Sequence, residues 1–401
     1  MIRLGEVTAR FAALLALLAL GASGCTTDHD ALARQPKAGS AGGGAGGSSG
    51  VGGVVNTGNQ PSEGGRTNPD IEPAGDNVLS IANGIVDAPS VRLCFARLDA
   101  DGTTRELVGS PLPELNYAAS TVLTELPGLS FADDMIEPWV LAGDLSLIDD
   151  LDCEAAVALA ETEEANAAPD PDGEGGAASS EPAEPALRVR PVAALPAGTV
   201  DVGRSILMVL AGCLGGPTYV DAGPDVAPDD VPSPPVGLPT QRQACGADYA
   251  PESPTLQPIV VKLSRETHFD AIGLQGVHAS LATESLDVRA ASNDGTVALV
   301  FASALAFGAI EPRPADTRFT PEQLGVDQGD FGLQVVGENG SPAFGETWSR
   351  LFTTSGLDAM LADRTYTAIF VGASPFLRKK GWWNRPAFAL VDNDPTRKIT
   401  P

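Results

Sequence analysis

Basic side chains are scarce in this chain of 401 residues. It contains 25 lysine and arginine residues against 52 aspartate and glutamate residues, and its net charge is −27. Proteins that bind nucleic acid neutralise phosphates with Lys and Arg, so this composition argues against a nucleic-acid partner. It also disfavours an anionic membrane surface as a binding target.

Histidine and the usual catalytic motifs are scarce as well. The chain has three histidines, and only His268 and His278 lie in its folded part. No strand is followed by a G-x-S-x-G nucleophile elbow, and no C-x-x-C pair occurs. His278 has Ser280 and Glu284 nearby, but we expect it to be hydrogen-bonded to a neighbouring loop. The sequence therefore predicts no catalytic residue, no zinc site and no cofactor.

Two short acidic segments have the carboxylate spacing of calcium loops. These are "DADG" (residues 99–102) and "DPDG" (residues 170–173). Both lack a third acidic position and a downstream bidentate Glu. We expect the first to be a hairpin turn and the second to belong to a loop, and we predict no metal site.

Long hydrophobic runs are missing too. The apolar run "FAALLALLALGASG" (residues 11–24) follows Arg3 and Arg10 and is too short to cross a membrane. It reads as a signal peptide that ends at Cys25. The small residues before Cys25 resemble the lipobox of bacterial lipoproteins, which implies cleavage of residues 1–24 and acylation of Cys25. The alternative is ordinary secretory cleavage in which Cys25 has no role.

Four further cysteines remain, an even number in a chain predicted to be exported to an oxidising compartment. Two disulfides are expected, and three connectivities are open. We favour Cys213 with Cys245 and Cys94 with Cys153. Cys213 and Cys245 border a long loop that is missing from a second copy of this part of the sequence, at residues 265–401.

Several segments have the composition of solvated chain. Residues 25–76 are rich in glycine and serine and predict a disordered tether, with a reach of roughly 40 Å. Within the following unit, residues about 161–186 form an acidic insertion and residues about 216–244 a loop rich in Pro and Asp. One helix is predicted over residues 147–165.

The rest of the chain reads as short β-strands that occur twice. Residues 79–93 align without gaps on residues 274–288 after a shift of 195, and residues 204–212 align on 364–372 after a shift of 160. Strand and turn signals recur in both copies. The sequence therefore predicts two tandem domains, at residues 77–264 and 265–401.

The segment "GVHASLATESLDVRA", with the later "ALAFGAI" and "RTYTAIFVG", resembles a bacterial family of domains of unknown function that occur in tandem in secreted proteins. Residues 269–394 carry most of the similarity, and residues 76–263 carry less. Asn83 replaces the family's histidine in the first copy, and Leu281 replaces its proline in the second. The resemblance implies immunoglobulin-like or transthyretin-like β-sandwiches and implies no activity.

One cluster stands out as a candidate contact for a ligand. The segment "RKKGWWNR" joins two apolar strands and combines cationic with aromatic side chains, which suit sugar rings, anionic groups or a partner's pocket. Its candidate binding residues are Arg378, Lys379, Lys380, Trp382, Trp383 and Arg385. The alternative is that the two tryptophans pack against the sandwich and the neighbouring domain.

These features favour an exported lipoprotein anchored by lipid to the cell envelope, on the outer membrane of a Gram-negative bacterium. We expect a non-catalytic binding or structural module whose partners are the membrane, through its lipid, and an envelope polysaccharide or protein. A hydrolase of envelope polymers, using loops at one end of a sandwich, is the alternative.

Overall fold

The computed structural model describes residues 76–99, 101–167, 186–200, 203–215, 244–246, 248–249, 254–266, 269–292, 298–312, 317–327, 329–336, 342–374 and 386–397. All of them belong to one compact unit, Val51–Pro401. The predicted signal peptide, Cys25 and most of the predicted tether lie outside the described residues.

Two β-sandwiches follow each other along the chain. The first contains β1 (Val78–Ile85), β2 (Ser90–Leu98), β3 (Arg105–Val108), β4 (Leu115–Asn116), β5 (Ser120–Leu123), β6 (Met135–Gly143), β7 (Leu187–Pro191), β8 (Ser205–Gly212) and β9 (Gln257–Leu263). Its inner sheet has the order β5-β1-β8-β9, and its outer sheet has the order β3-β2-β6-β7, with β4 paired to β2. Between the sheets lies a core that includes Leu79, Leu93, Val140 and Met208.

The second sandwich repeats this plan. It contains β10 (Ile272–His278), β11 (Ser285–Ser292), β12 (Ala298–Ala306), β13 (Ile310–Glu311), β14 (Arg318–Phe319), β15 (Phe331–Val336), β16 (Pro342–Thr347), β17 (Arg364–Val371) and β18 (Ala387–Asp392). Its inner sheet is β13-β10-β17-β18, with β14 paired to β10, and its outer sheet is β12-β11-β15-β16. The mainly β architecture of two tandem sandwiches is therefore confirmed.

The repeat extends to the strand register. In each sandwich the first long strand pairs in parallel with a late one, as β1 with β8 and β10 with β17. Leu79 lies opposite Ile206 in the first pair, and Leu274 lies opposite Tyr366 in the second. The shifts of 195 and 160 read from the sequence connect these same residues, so the aligned runs occupy equivalent positions in the two sheets.

Both sandwiches also contain helices. The predicted helix is present as a 3-10 turn (Leu145–Ile148) followed by α1 (Cys153–Ala167). The two are separate because the Asp152 side chain accepts a hydrogen bond from the Ala155 amide at 2.8 Å, which caps α1 at its start. The second sandwich contains α2 (Pro321–Leu324) and α3 (Trp348–Ser355). Trp348, the first residue of α3, is fully buried.

The start of the acidic insertion is helical. Residues 161–167 are the last turns of α1, as the helix predicted through residue 165 implies. Glu164 holds these turns on the sheet through an ion pair with Arg190 of β7 at 2.6 Å. Most of the remaining insertion lies outside the described residues.

The two inner sheets pack against each other and fuse the sandwiches. Strands β1 and β8 are buried along their whole length, because alternate side chains face two cores. On β8, Met208 faces the core of the first sandwich, while Val209 joins a third core with Ile369 and Ala389 of the second sandwich. Four β-layers therefore form one continuous stack.

A short linker connects the two sandwiches, and buried hydrogen bonds support it. Only residues 264–271 separate β9 from β10. The fully buried Asn393 donates to the Ser264 carbonyl and to Gln275, each at 2.9 Å, and its own carbonyl accepts from Ser205. Polar groups from both sandwiches thus satisfy one another where the chain crosses between them.

Replacing Gly84 with Ala tests how tightly the inner sheets pack. An added Cβ would lie 2.8 Å from Val371 Cγ1 of the other sandwich and 3.0 Å from the Leu210 carbonyl oxygen. We expect the free energy of unfolding, measured with urea, to fall by about 1–3 kcal/mol. Gly329→Ala is the control, since a Cβ there meets nothing within 4 Å. Equal unfolding midpoints for the two variants would contradict this packing.

Candidate functional site at the interdomain end

Loops of both sandwiches meet at one end of the inner sheets, which we call the interdomain end (residues 86–88, 212–215, 244–246, 279–281 and 372–374). Buried side chains from both sandwiches form a small cluster there, consisting of Val86, Cys213, Ala244, Cys245, Tyr249 and Ala373. Cys213 follows β8, and Ala373 follows the equivalent strand β17. The ends of the two equivalent strands therefore lie together.

Two disulfides are formed, and they are the pairs favoured from the sequence: Cys94 with Cys153 and Cys213 with Cys245. The first ties α1 to β2 of the outer sheet. The second lies in the cluster of the interdomain end. Thr255 supports it, because its hydroxyl donates to the Cys245 carbonyl at 2.6 Å and accepts from the Cys213 amide at 3.3 Å.

A buried carboxylate fixes the chain that leaves β8. Asp87 is fully buried, and its two oxygens accept hydrogen bonds from the Leu214 and Gly215 amides at 2.8 and 2.9 Å. The Arg188 guanidinium lies 3.8 Å from the carboxylate and donates to the carbonyls of Gly215 and Asp87. Burial raises the pKa of Asp87, and Arg188 and the amide donors oppose this effect.

Sequence reasoning missed this pair. Its only signal in the sequence is that Arg188 is the first basic residue after Arg105.

The second sandwich completes the same end. Leu281 packs against two glycines of the first sandwich, since a Cβ added at Gly212 would lie 3.0 Å from its side chain and one at Gly246 would lie 3.3 Å away. The neighbouring Ser280 hydroxyl donates to the Gly372 carbonyl at 2.6 Å. Leu281 thus carries a contact between the two sandwiches.

The candidate residues of "RKKGWWNR" lie outside the described residues, as do residues 216–243. The described flanks of both segments are nevertheless placed. Gly215 and Ala244 border residues 216–243, while Ser374 and Pro386 border residues 375–385. Ala387, next to Pro386, pairs with Val371 at the end of β17. All four flanks therefore lie at the interdomain end.

His278 has a structural role in this arrangement. Its side chain is fully buried, Nδ1 accepts from the Ser280 amide at 3.2 Å, and Nε2 donates to the Thr283 carbonyl at 2.9 Å. Burial lowers the pKa of His278 to about 4 from 6.5. A neutral imidazole with both nitrogens engaged has no free position for proton transfer to a substrate.

Asn83 takes the equivalent role in the first sandwich. Its Oδ1 accepts from the Ile85 amide at 3.1 Å, just as His278 accepts from Ser280 two residues further on. Its amide group donates to the Leu115 carbonyl at 3.1 Å. Asn83 and His278 thus do the same thing at equivalent positions. Each side chain forms hydrogen bonds with backbone groups of the loop that follows the first inner strand.

The first acidic segment lies at a hairpin turn. Asp99 follows β2 and accepts hydrogen bonds from the backbone amide and the hydroxyl of Thr103, which precedes β3. A hydrogen bond from the Thr104 side chain, together with those from Thr103 and from the Thr104 amide, lowers the pKa of Asp99 to about 2. "DPDG" lies outside the described residues. Within the described ranges no group of three or more His, Cys, Asp or Glu residues could hold a metal.

An open cleft of about 650 Å³ lies elsewhere, beside α3 in the second sandwich. Phe352, Leu357 and Met360 provide its apolar part, and Asp327 and Asp358 its charged part. The described residues that line it include no histidine, cysteine or basic side chain. The cleft therefore presents no catalytic constellation that we recognise.

A change of His278 to Asn, the residue of the first sandwich, should remove one source of acid sensitivity. The pKa of His278 is lowered in the folded state, so its contribution to stability is present above pH 6.5 and is lost as the pH falls towards 4. Between pH 7 and pH 4 we expect the wild type to lose up to about 3 kcal/mol more than His278→Asn. Urea unfolding at both pH values measures this difference, and parallel losses would refute it.

No protein-family model matches the chain. No curated protein matches its sequence either. None of the helices in the described ranges combines the length and apolar character needed to span a membrane.

Proposed function

We propose that this chain is an exported, lipid-anchored envelope protein that presents two fused β-sandwiches as one non-catalytic binding unit, with its contact surface at the interdomain end. The observation that carries the proposal is the shared cluster of Cys213 and Ala373. Because of it, the flanks of the acidic segment 216–243 and of the basic, aromatic segment 375–385 lie side by side.

Three interactions fix the described residues of this end. The disulfide between Cys213 and Cys245, the Asp87–Arg188 pair and the contact of Leu281 with Gly212 all act on its described residues. Surface loops on a rigid scaffold are where binding residues concentrate in many folds. A preorganised support lowers the entropy lost on binding and thus favours affinity.

The chemistry expected of a ligand follows from the sequence of the second segment. Trp382 and Trp383 suit stacking on sugar rings or insertion into an apolar pocket, and the four cationic residues around them suit anionic groups. An envelope polysaccharide with acidic substituents fits this combination, and a protein with an acidic patch fits it as well.

Two observations support binding over hydrolysis and support an extracytoplasmic setting. His278, the most obvious candidate for a catalytic base, is buried and engaged by backbone groups on both nitrogens. Two disulfides are typical of proteins that fold in oxidising compartments. The first observation fits a displayed module better than an enzyme that works at a sandwich end, and the second fits export.

The anchoring part of the proposal predicts the behaviour of Cys25→Ser. Without the thiol no acyl chain can be attached, and each buried methylene contributes roughly 0.8 kcal/mol of membrane affinity. We expect the variant to leave the detergent phase in a phase-partitioning experiment or to remain unprocessed. Cys213→Ser with Cys245→Ser is the control, because it removes two other cysteines, which are paired with each other, without touching the anchor. Unchanged partitioning of Cys25→Ser protein that has lost residues 1–24 would rule out lipid anchoring.

The binding part predicts that replacing Trp382 and Trp383 with Ala abolishes cosedimentation with purified envelope polymers, while the melting temperature stays unchanged. Phe269→Ala is a matched control, since Phe269 is an aromatic side chain that is 88% exposed and precedes β10 at the opposite end of that strand. A double variant that binds normally but melts at a lower temperature would assign the tryptophans to packing and defeat the proposal.

A further inference from the structure

Two exposed apolar side chains lie at the end of the inner sheets opposite the interdomain end. Phe269 precedes β10 and is 88% exposed, and Leu361 precedes β17 and is 41% exposed. Strands β10 and β17 pair in parallel with Ile272 opposite Arg364, so Phe269 and Leu361 lie on neighbouring chains, each three residues before this pair. We call Phe269 and Leu361 the apolar tip of the second sandwich.

The backbone around the apolar tip is held in an uncommon conformation. Asp270 and Asp363 have φ values of 54° and 61°, in the left-handed region that few residues other than glycine adopt. The Asp270 amide donates to the Asp363 carboxylate at 2.9 Å, and the Asp363 amide donates to the Ala271 carbonyl at 2.8 Å. The Leu361 amide donates to the Tyr366 hydroxyl at 2.8 Å. These bonds fix the tip at the surface.

The predicted tether joins the folded unit at this same end. Its last residue, Asp76, precedes β1, and the Asp76 carbonyl accepts a hydrogen bond from Arg265 of the linker at 2.5 Å. Arg265 also donates to the Gly203 carbonyl at 3.2 Å and to the Ser205 hydroxyl at 2.7 Å. We define the tether end as residues 76–77, 203–205, 263–266, 269–271, 361–364 and 392–397. The chain that leads back to Cys25 therefore leaves the folded unit at the end that carries the apolar tip.

This point of attachment determines which end of the folded unit an anchor brings close to a bilayer. Strand β1 has eight residues and runs from the tether end to the interdomain end, so the two ends are roughly 26 Å apart at about 3.3 Å per residue. A flexible tether keeps the end to which it is attached at a high effective concentration near the surface. The anchor therefore brings the apolar tip close to lipid more often than the interdomain end.

We propose that the apolar tip docks on the zwitterionic phospholipid surface to which Cys25 anchors the chain, so that Phe269 and Leu361 insert among the headgroups and the interdomain end is directed away from the bilayer. This inference rests on the lipid anchoring proposed above and adds a direct contact between the folded unit and the membrane. It leaves the interdomain end free to bind its own ligand.

Charge at the tether end is compatible with this contact. Three of its carboxylates are paired with arginines: Asp392 with Arg364, Asp394 with Arg265 and Glu266 with Arg318. A paired carboxylate presents less net charge to a lipid phosphate than a free one. The chain as a whole has a net charge of −27, which opposes approach to an anionic surface. A zwitterionic surface, which carries no net charge, is therefore the one that this end can approach.

Two apolar side chains give only a weak contact by themselves. The strength with which a peripheral segment binds a bilayer increases with the apolar area that it buries, and this tip buries little. The anchor compensates for this weakness because it makes docking an intramolecular step. We therefore expect the tip to dock in the anchored chain and to show little binding in an unanchored chain at the same lipid concentration.

The test uses the whole chain from Cys25 onward, secreted without acylation by an ordinary signal peptide. Its thiol is coupled to a maleimide-bearing lipid in vesicles of brominated phosphatidylcholine, whose bromine atoms quench the fluorescence of a tryptophan that contacts the lipid chains. Cys25 is the one cysteine outside the two disulfides, so the coupling is selective. This chemical anchor makes the result independent of whether the native chain is acylated.

Three variants each carry one added tryptophan. Phe269→Trp and Leu361→Trp report on the apolar tip. Leu147→Trp is the matched control, because Leu147 is a leucine of similar exposure, 45%, and follows β6, whose Leu141 lies opposite Arg92 near the start of β2 and thus towards the interdomain end. After subtraction of the parent's emission, we expect the added tryptophan of the two tip variants to lose at least about half of its fluorescence, since indole rings settle at the headgroup level. Leu147→Trp should keep its fluorescence.

A fourth variant tests whether the two residues of the tip act together. Adding Phe269→Asp to Leu361→Trp places a charge in the contact and should remove most of the quenching, and unchanged quenching would contradict the proposal. Equal quenching of the two tip variants and Leu147→Trp overturns it, as does quenching of none. Quenching that requires anionic lipid overturns it as well.

These outcomes separate the docking from the anchoring on which it rests. If the chemically coupled chain docks but the native chain fails the Cys25→Ser partitioning test, the tip binds lipid and the proposed anchor is wrong. If the native chain is anchored but the tip variants are not quenched, the anchor stands and the docking is refuted.

Discussion

The apolar contact between the two inner sheets is the interaction on which the rest of this structure depends. It turns strands such as β8 into doubly buried elements, with Met208 in one core and Val209 in another. Because Gly84 leaves room for Val371, the backbones of the two sandwiches approach closely. The interdomain end exists only because this contact brings the ends of β8 and β17 together.

The two copies of the repeat form the same local hydrogen bond with different residues. Asn83 and His278 occupy equivalent positions and accept a hydrogen bond from the amide two residues later. The lowered pKa of His278 follows from its burial, and a functional imidazole would need a different environment. The histidine is therefore best understood through its asparagine counterpart.

The two sandwiches differ in the helices that pack against their sheets. The outer sheet of the first sandwich is closed by α1, by the disulfide between Cys94 and Cys153 and by the ion pair of Glu164 with Arg190. In the second sandwich, α3 instead closes the core from within, through the buried Trp348 and its hydrogen bond to the Leu324 carbonyl. The two copies thus use different helices to complete their cores.

The sequence by itself determined the β-rich class and the duplication, and it favoured the two disulfide pairs that the structure contains. Strand periodicity is local, so Leu79 and Leu274 could be aligned without knowing their neighbours. Cys213 and Cys245 could be paired because they border a loop that the second copy lacks. The start of α1 was predicted less well, since the helix was expected from residue 147 and instead begins at Cys153, where the Asp152 side chain caps it.

Only the tertiary structure decided which surfaces face each other. Nothing local to β1, β8, β17 or β18 distinguishes a strand buried between two sandwiches from one buried within a single core, because both read as continuous apolar runs. The same holds for Asp87 with Arg188, which are far apart in sequence and meet when the first sandwich folds. It holds as well for Leu281 with Gly212, which meet only when the two sandwiches pack together. Long-range contacts of this kind are set by how the sheets stack, and a single sequence does not contain that information in local form.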